Sequence, residues 1–334
     1  MNWRINPQRY KKNARNVYLC TYNYLIVRDK ENQMTIMRKF FLCAVASVLC
    51  ALSAFAGPET APSVGAEGEY DVYLLIGQSN MAGRGELDES DAQPIENVYL
   101  LDGEGKVVPA SNPLNIYSTI RKHTSIQKVN PGYEFSATVA KKTGRKILLV
   151  VNARGGTSIN EWVKGAESTY RYQDEKTERT LSFYDEALRR TRQALQYGSL
   201  KGILWHQGCS DRGDAGYMTK LAGLVKDLRA DLGAEVPFVA GQLGTWNPKS
   251  GKRSAEFNEN LTRISDYVPW ADWVSSEGTK PIVTKKSDGK PDLSDPHFDR
   301  ESQILLGKRY AQKILKMVYG RKLSKKEMKV PSQL

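Results

Sequence analysis

The chain has 334 residues, enough for one large domain or two small ones. Its formal charge of +12 suggests a polyanionic partner, yet residues 1–56 hold nine of the 49 basic and only two of the 37 acidic side chains. A second basic cluster, GRKLSKKEMKV, lies at 320–330, and what remains is nearly balanced, with no basic stripe interleaved with aromatics. That pattern argues against a nucleic-acid or anionic-membrane role.

Taken in chain order, the first readable element is MRKFFLCAVASVLCALSAFAG, which begins at Met37. Arg38 and Lys39 precede a short apolar run that ends in the small-x-small site Ala54-Phe55-Ala56, the pattern of a secretory signal. The run is shorter than the roughly 20 residues a spanning helix needs. Residues 1–36 then read as an upstream extension from a misplaced start, 37–56 as the signal, and the protein as secreted or periplasmic. A lipoprotein is disfavoured, because Leu precedes both Cys43 and Cys50. Cleavage leaves Cys209 alone, so no internal disulfide is expected and a packed core must supply the stability.

GPETAPSVGAEGE at 57–69 reads as a linker. Beyond it, apolar runs of four to six residues alternate with amphipathic stretches. Strands are expected at 70–77, 146–152, 201–208, 237–244 and 271–278, and helices at about 133–143, 180–198, 217–233, 253–267 and 300–319. In the second helix Leu181, Tyr184, Leu188, Ala194 and Leu195 share a face, with Arg189, Arg190 and Arg192 opposite. Gly198 and Gly233 are expected as helix C-caps, and Asp299 as the N-cap of the last helix. Residues 86–132 show few helix signals and read as a long excursion that shapes access to a site. Short buried strands separated by helices imply a three-layer α/β/α sandwich with a central parallel sheet, spanning 70–320 and followed by a basic tail at 321–334.

In such a sheet ligands bind at the carboxyl ends of the strands. There the sequence puts Ser79 after LLIG, Gly155 and Gly156 after KILLVVN, Gln207 after KGILWH, and His297 in SDPHFD before the last helix. A hydroxyl needs a base to become a nucleophile, the base needs an acid to fix its tautomer, and a tetrahedral oxyanion needs donors. Four separate loops could supply these parts for acyl transfer. Alone, each has a plainer reading: Ser79 as a helix N-cap, the glycines as a turn, and His297 as a satisfied surface histidine.

The blocks GQSNMAGRGEL (77–87), ARGGTSINEW (153–162), WHQGCSD (205–211) and DPHFDRESQILLGKRYA (295–311) resemble, in order, those of the sialic-acid-specific acetylesterase-like domain. That domain belongs with carbohydrate esterase family six in the SGNH hydrolase superfamily. The resemblance covers about 70–320. It implies a flavodoxin-like SGNH fold and a serine esterase that removes O-acetyl groups from carbohydrates through an acetyl-enzyme, with no metal or other cofactor. The substrate would be of the acetylxylan or sialate type. The resemblance also implies Ser79 as nucleophile and an oxyanion hole made by the Ser79 N–H, the Gly155 N–H and Gln207. Gln78 and Asn80 would hold the turn and line the pocket, and Trp162, Trp246 and Tyr133 are candidates for stacking on sugar.

Two departures stand out. The family usually has Gln-Gly-Glu where this chain has Gln207-Gly208-Cys209, and Cys209 reads as a small apolar residue rather than a second nucleophile. The superfamily's Asp-x-x-His would put its acid at 294, which is serine here. Asp295 is the first candidate, Asp292 the reserve, and a dyad completed by a backbone carbonyl the third option. His206 reads as structural and His123 as a candidate for the site's mouth. The competing functions are an esterase on small lipid esters and a carbohydrate-binding protein with a decayed triad.

Overall fold

A computed structural model of the protein describes residues 68–171 and 178–330. All of them belong to the second of two units into which the chain divides, 61–334. The expected extension, the signal at 37–56, Cys20, Cys43, Cys50 and most of the linker lie outside the described residues.

In chain order the strands are β1 (Tyr70–Gly77), β2 (Val98–Leu101), β3 (Val107–Pro109), β4 (Lys146–Ala153), the hairpin β5 (Ser168–Arg171) and β6 (Glu178–Leu181), then β7 (Gly198–His206), β8 (Phe238–Gly241) and β9 (Ala271–Val274). A second small hairpin pairs β10 (Thr284–Lys285) with β11 (Pro291–Asp292). The helices are α1 (Ser79–Ala82), α2 (Gly132–Thr143), α3 (Phe183–Ala194), α4 (Tyr217–Leu232), α5 (Gly251–Leu261), α6 (Ile264–Tyr267) and α7 (Arg300–Tyr319).

The main sheet has the order β3-β2-β4-β1-β7-β8-β9, and every pairing in it is parallel except β2 with β3. Its central strands β4, β1, β7 and β8 are buried on both faces. Val72, Leu74 and Ile76 of β1 enter one apolar cluster while Tyr73 and Leu75 enter the other. The same period-2 partition splits Leu148 and Val150 of β4 from Ile147, Leu149 and Val151. Helices α3 and α4 cover the first face through Phe183, Leu188, Leu221 and Leu228, and α2 and α7 cover the second through Phe135, Val139, Leu306 and Tyr310. This is the three-layer α/β/α sandwich expected of an SGNH-like chain. No helix among the described residues is long and apolar enough to cross a membrane.

The expected caps at Asp299 and Gly233 hold. Asp299 Oδ1 accepts the Ser302 N–H at 2.8 Å, and Gly233 ends α4 in the left-handed region. Gly198 does not cap α3, which ends at Ala194 with Leu195 as its C-cap; instead it opens β7 beside Tyr70. Arg190 is also not on a solvent face. It is 1% exposed, and its guanidinium donates to the carbonyls of Leu101 (2.8 Å) and Asp102 (3.2 Å) at the end of β2. Nor is the excursion at 86–132 a bare loop. It contains β2 and β3, and its end pairs with the turn after β1 through Arg84 N–H and Gly85 N–H to Val129 O. Lys308 of α7 donates to the carbonyls of Glu327 and Lys329 in the basic tail, which draws 327–329 back onto the helix.

Candidate active site

β1 lies inside the parallel set, with β4 on one side and β7 on the other. The loops leaving these three strands therefore open side by side, at the point where the strand order reverses. At the end of β1, Gly77 adopts φ 135°, and a Cβ there would fall 2.4 Å from His206 O. Only glycine allows this approach. The chain then leaves the sheet through Gln78, whose N–H bonds to His206 O at 2.9 Å, and Ser79 opens the single turn α1.

Ser79 is 7% exposed, and among the described residues its hydroxyl has no hydrogen-bond partner. Gly155 lies against it: a Cβ built on Gly155 would meet Ser79 Cβ at 3.2 Å and Arg84 Nη2 at 3.0 Å. A side chain at 155 would fill the space beside the hydroxyl. Neither the Ser79 nor the Gly155 backbone N–H donates to an acceptor among the described residues. Both are open to a ligand oxygen.

His297 arrives from the segment between β11 and α7. Its Nδ1 lies 2.7 Å from Asp295 Oδ1, and the same oxygen accepts the His297 backbone N–H at 2.8 Å. A carboxylate can only accept, so Nδ1 carries the proton and Nε2 is left as the basic nitrogen. Burial pushes the imidazole below its usual pKa of 6.5, Asp295 pulls it back up, and the nearby Arg84 cation lowers it. Asp292 sits on the exposed β10–β11 hairpin, where its carboxylate accepts the Ser294 N–H at 2.9 Å. Asp295, not Asp292, is the carboxylate in contact with the histidine.

The segment that carries His297 is tied to the residue after Ser79, Asn80. Its Nδ2 donates to Pro296 O at 3.3 Å and its Oδ1 accepts the Phe298 N–H at 3.2 Å. The carboxamide thus grips the backbone on both sides of His297. Trp246 braces the same segment, with its indole N–H donating to Asp295 O at 2.8 Å and its ring edge-on to Phe298. Trp246 thus helps to position the segment that carries His297.

Several expected substrate contacts have other partners. Asn80 is 1% exposed and spent on the clamp. Gln78 is 3% exposed, and its Oε1 accepts the N–H groups of Gly208 and Cys209, both at 3.0 Å. Trp162 is fully buried, its indole N–H on Thr157 Oγ1 and its ring packed edge-on against Trp205. It belongs to the core. Gln207 is likewise fully buried. Its Nε2 donates to Thr157 O at 2.9 Å and to the Asp211 carboxylate, which uses both protons, so it is not free to serve an oxyanion. The reverse amide orientation would set oxygen against oxygen at both contacts.

Asp211 also accepts the Ile159 N–H at 3.0 Å, so its carboxylate ties the loop after β7 to the loop after β4. Burial pushes the Cys209 thiol up, which keeps it a poor nucleophile. His206 is fully buried, with Nδ1 3.1 Å from Tyr310 Oη, and desolvation lowers it to about 4. It is structural. His123 is half-buried in the excursion, and Tyr133 half-buried at the start of α2. No group of three or more His, Cys, Asp or Glu among the described residues could hold a metal ion.

Sequence reasoning missed Arg84, although it sits inside GQSNMAGRG. Its Nη1 donates to the carbonyls of Gly83 and, at 3.1 Å, Ile126. Lys122 reaches the other side of the glycine pair, its Nζ 3.4 Å from the Cβ position of Gly156. Arg84 carries a sequence signal, a cation within the same motif as the serine, whereas Lys122 is far in sequence from both the serine and the Gly-Gly turn and carries none.

A hydroxyl beside two open N–H groups and an acid-supported imidazole can perform acyl transfer. Residues 69–316 match the family model for "Carbohydrate esterase, sialic acid-specific acetylesterase". A probable carbohydrate esterase of Arabidopsis thaliana is 26% identical over 269 residues, covering 73% of this chain and 90% of that protein. The X-ray structure of that Arabidopsis protein aligns at a TM-score of 0.59 and 25% identity, over 75% of this chain and 99% of the other. The crystal structure of a carbohydrate acetylesterase from Xanthomonas citri aligns at 0.51 and 18% identity, over 76% of this chain and 57% of that one, and shares the fold. By the family match across most of its length, this chain is an esterase and belongs to the carbohydrate esterase, sialic acid-specific acetylesterase family.

Proposed function

We propose that the protein removes O-acetyl groups from a carbohydrate through an acetyl-enzyme on Ser79. Ser79 Oγ attacks the acetyl carbonyl while His297 Nε2 takes its proton, and Asp295 stabilises the imidazolium that forms. The Ser79 and Gly155 N–H groups donate to the oxyanion. Collapse breaks the bond to the sugar oxygen, which leaves with the proton from His297. Water, activated by the same imidazole, then releases acetate and restores Ser79.

The observation that carries this reading is the Asn80 clamp, which ties the residue after the hydroxyl to both neighbours of His297. The Lys122 ammonium, which forms no ion pair among the described residues, favours an acidic sugar over a neutral one as the acetyl carrier. We read residues 37–56 as a signal peptide, so the working enzyme is secreted or periplasmic and starts at Gly57. Acetate release from acetylated sialosides, acetylated xylan and acetylated monosaccharides tests the substrate. Release from the sialosides above the others is expected. Binding of these glycans with no acetate released would overturn the esterase reading. The mass of the secreted chain tests the processing, with Gly57 expected at the N-terminus and a lipidated cysteine contradicting it.

A further inference from the structure

With Gln207 occupied, the oxyanion has two backbone donors and an unfilled side facing Arg84. We infer that Arg84 completes the oxyanion hole, its Nη2–H donating to the carbonyl oxygen of the acetyl group as that oxygen becomes negative. This rests on the acetyl-enzyme reading above and adds a catalytic residue to it.

Three observations lead there. First, the guanidinium is fixed: Nη1 is held by the carbonyls of Gly83 and Ile126, on either side of the strand-like contact between the turn after β1 and the excursion. Second, its other edge is open. Nη2 has no acceptor among the described residues, so a charged donor is held beside the site with nothing to donate to. Third, it faces the right point. The Cβ position of Gly155 is within 3.0 Å of Nη2 and 3.2 Å of Ser79 Cβ, so one small volume is bounded by the cation, the serine and a glycine that leaves it vacant. An oxyanion on carbon attached to Ser79 Oγ belongs in that volume.

A charge-assisted N–H···O⁻ bond is roughly twice as strong as a neutral one, and it strengthens only as charge develops. Asp295 is the charged group that acts on Arg84; Arg84 in turn acts on His297 and on Lys122, and Lys122 also feels Arg154 and Glu161. Burial lowers the guanidinium to about 10, which leaves it protonated throughout turnover. Arg84 therefore contributes no proton. The serine proton still travels through His297, and only the negative charge on oxygen is shared with the guanidinium.

The test uses 4-nitrophenyl acetate, which has no sugar, so a role in glycan binding alone would not register. Arg84→Met is expected to lose about 100- to 1,000-fold in kcat with KM within a few-fold, the size of one lost oxyanion donor. Its acid limb should also shift to higher pH, because His297 loses a neighbouring cation. Arg84→Lys keeps the charge but not the fork, and is expected to lose at least about tenfold. If Arg84→Met fails to fold, Arg84→Lys carries the test. Its affinity for a methylboronic acid, whose tetrahedral adduct on Ser79 mimics the oxyanion, should fall with its kcat. A folded Arg84 variant that keeps wild-type kcat and boronate affinity, while Ser79→Ala is inactive, overturns the Arg84 assignment and spares the acetyl-enzyme. Activity retained in Ser79→Ala overturns both.

Discussion

A single carboxylate oxygen of Asp295 holds His297 twice, accepting the ring Nδ1–H at 2.7 Å and the backbone N–H at 2.8 Å. The backbone contact fixes which oxygen faces the ring, and Pro296 between them makes the tight loop that allows it. Asparagine at 295 would keep an oxygen in that place and so preserve the tautomer. It would lose only the charge that stabilises the imidazolium. Asp295→Asn is therefore expected to lose roughly 100-fold in kcat, and Asp295→Ala up to ~10,000-fold. Asp292→Asn should stay within a few-fold of wild type. Steady-state rates of the three variants check this.

The pH dependence follows from the same pair. The base must be neutral to accept the serine proton, so activity rises with pH as His297 deprotonates. Burial and Arg84 depress its pKa while Asp295 raises it, with burial the largest influence, so the midpoint is expected below 6.5. Removing the Asp295 charge should shift the limb further down. A pH–rate profile of wild type and Asp295→Asn measures both.

Asn80→Ala should impair both rate and fold. Losing the carboxamide strips partners from Pro296 O and the Phe298 N–H, a cost of about 1–3 kcal/mol if the groups stay buried. The expected kinetic result is a lower kcat with little change in KM, because the base is misplaced rather than the substrate. Denaturant melts alongside kinetics separate the two effects.

His206 gives the fold its own acid sensitivity. It is buried neutral, with a pKa of about 4 against 6.5 for the free side chain. Below 6.5 the unfolded chain binds a proton that the folded one refuses. Stability is thus complete above 6.5 and falls as pH drops toward 4, by about 3 kcal/mol from this group. Chemical denaturation at pH 7 and pH 4.5 should show the loss, and His206→Gln should flatten it.

The central strands were legible because each side chain on them answers to one rule, alternation between two buried faces. The run at 70–77 matches β1 residue for residue. The approach of Gly155 to Ser79 was legible too, because β1 and β4 are parallel and end on the same side. β2 was not: VYLL gains its place only by pairing with β4, some fifty residues away, and no local pattern records that. Arg190 misled for a related reason. Its helix neighbours Ala187, Thr191 and Ala194 are small enough to admit a long side chain, whose charge is met by carbonyls of another element. Gln78, Asn80 and Gln207 illustrate the deeper limit. A carboxamide serves buried backbone as readily as a ligand, and the sequence does not say which.

Rapid quenching of the enzyme with 4-nitrophenyl acetate, followed by peptide mass spectrometry, tests the central claim directly. One acetyl group on the peptide containing Ser79 is expected, appearing in a burst. In Ser79→Ala both the adduct and the burst should vanish, with turnover down by at least roughly a thousandfold and the melting temperature little changed. An acetyl group on Cys209 or elsewhere, or comparable hydrolysis by Ser79→Ala, would contradict it.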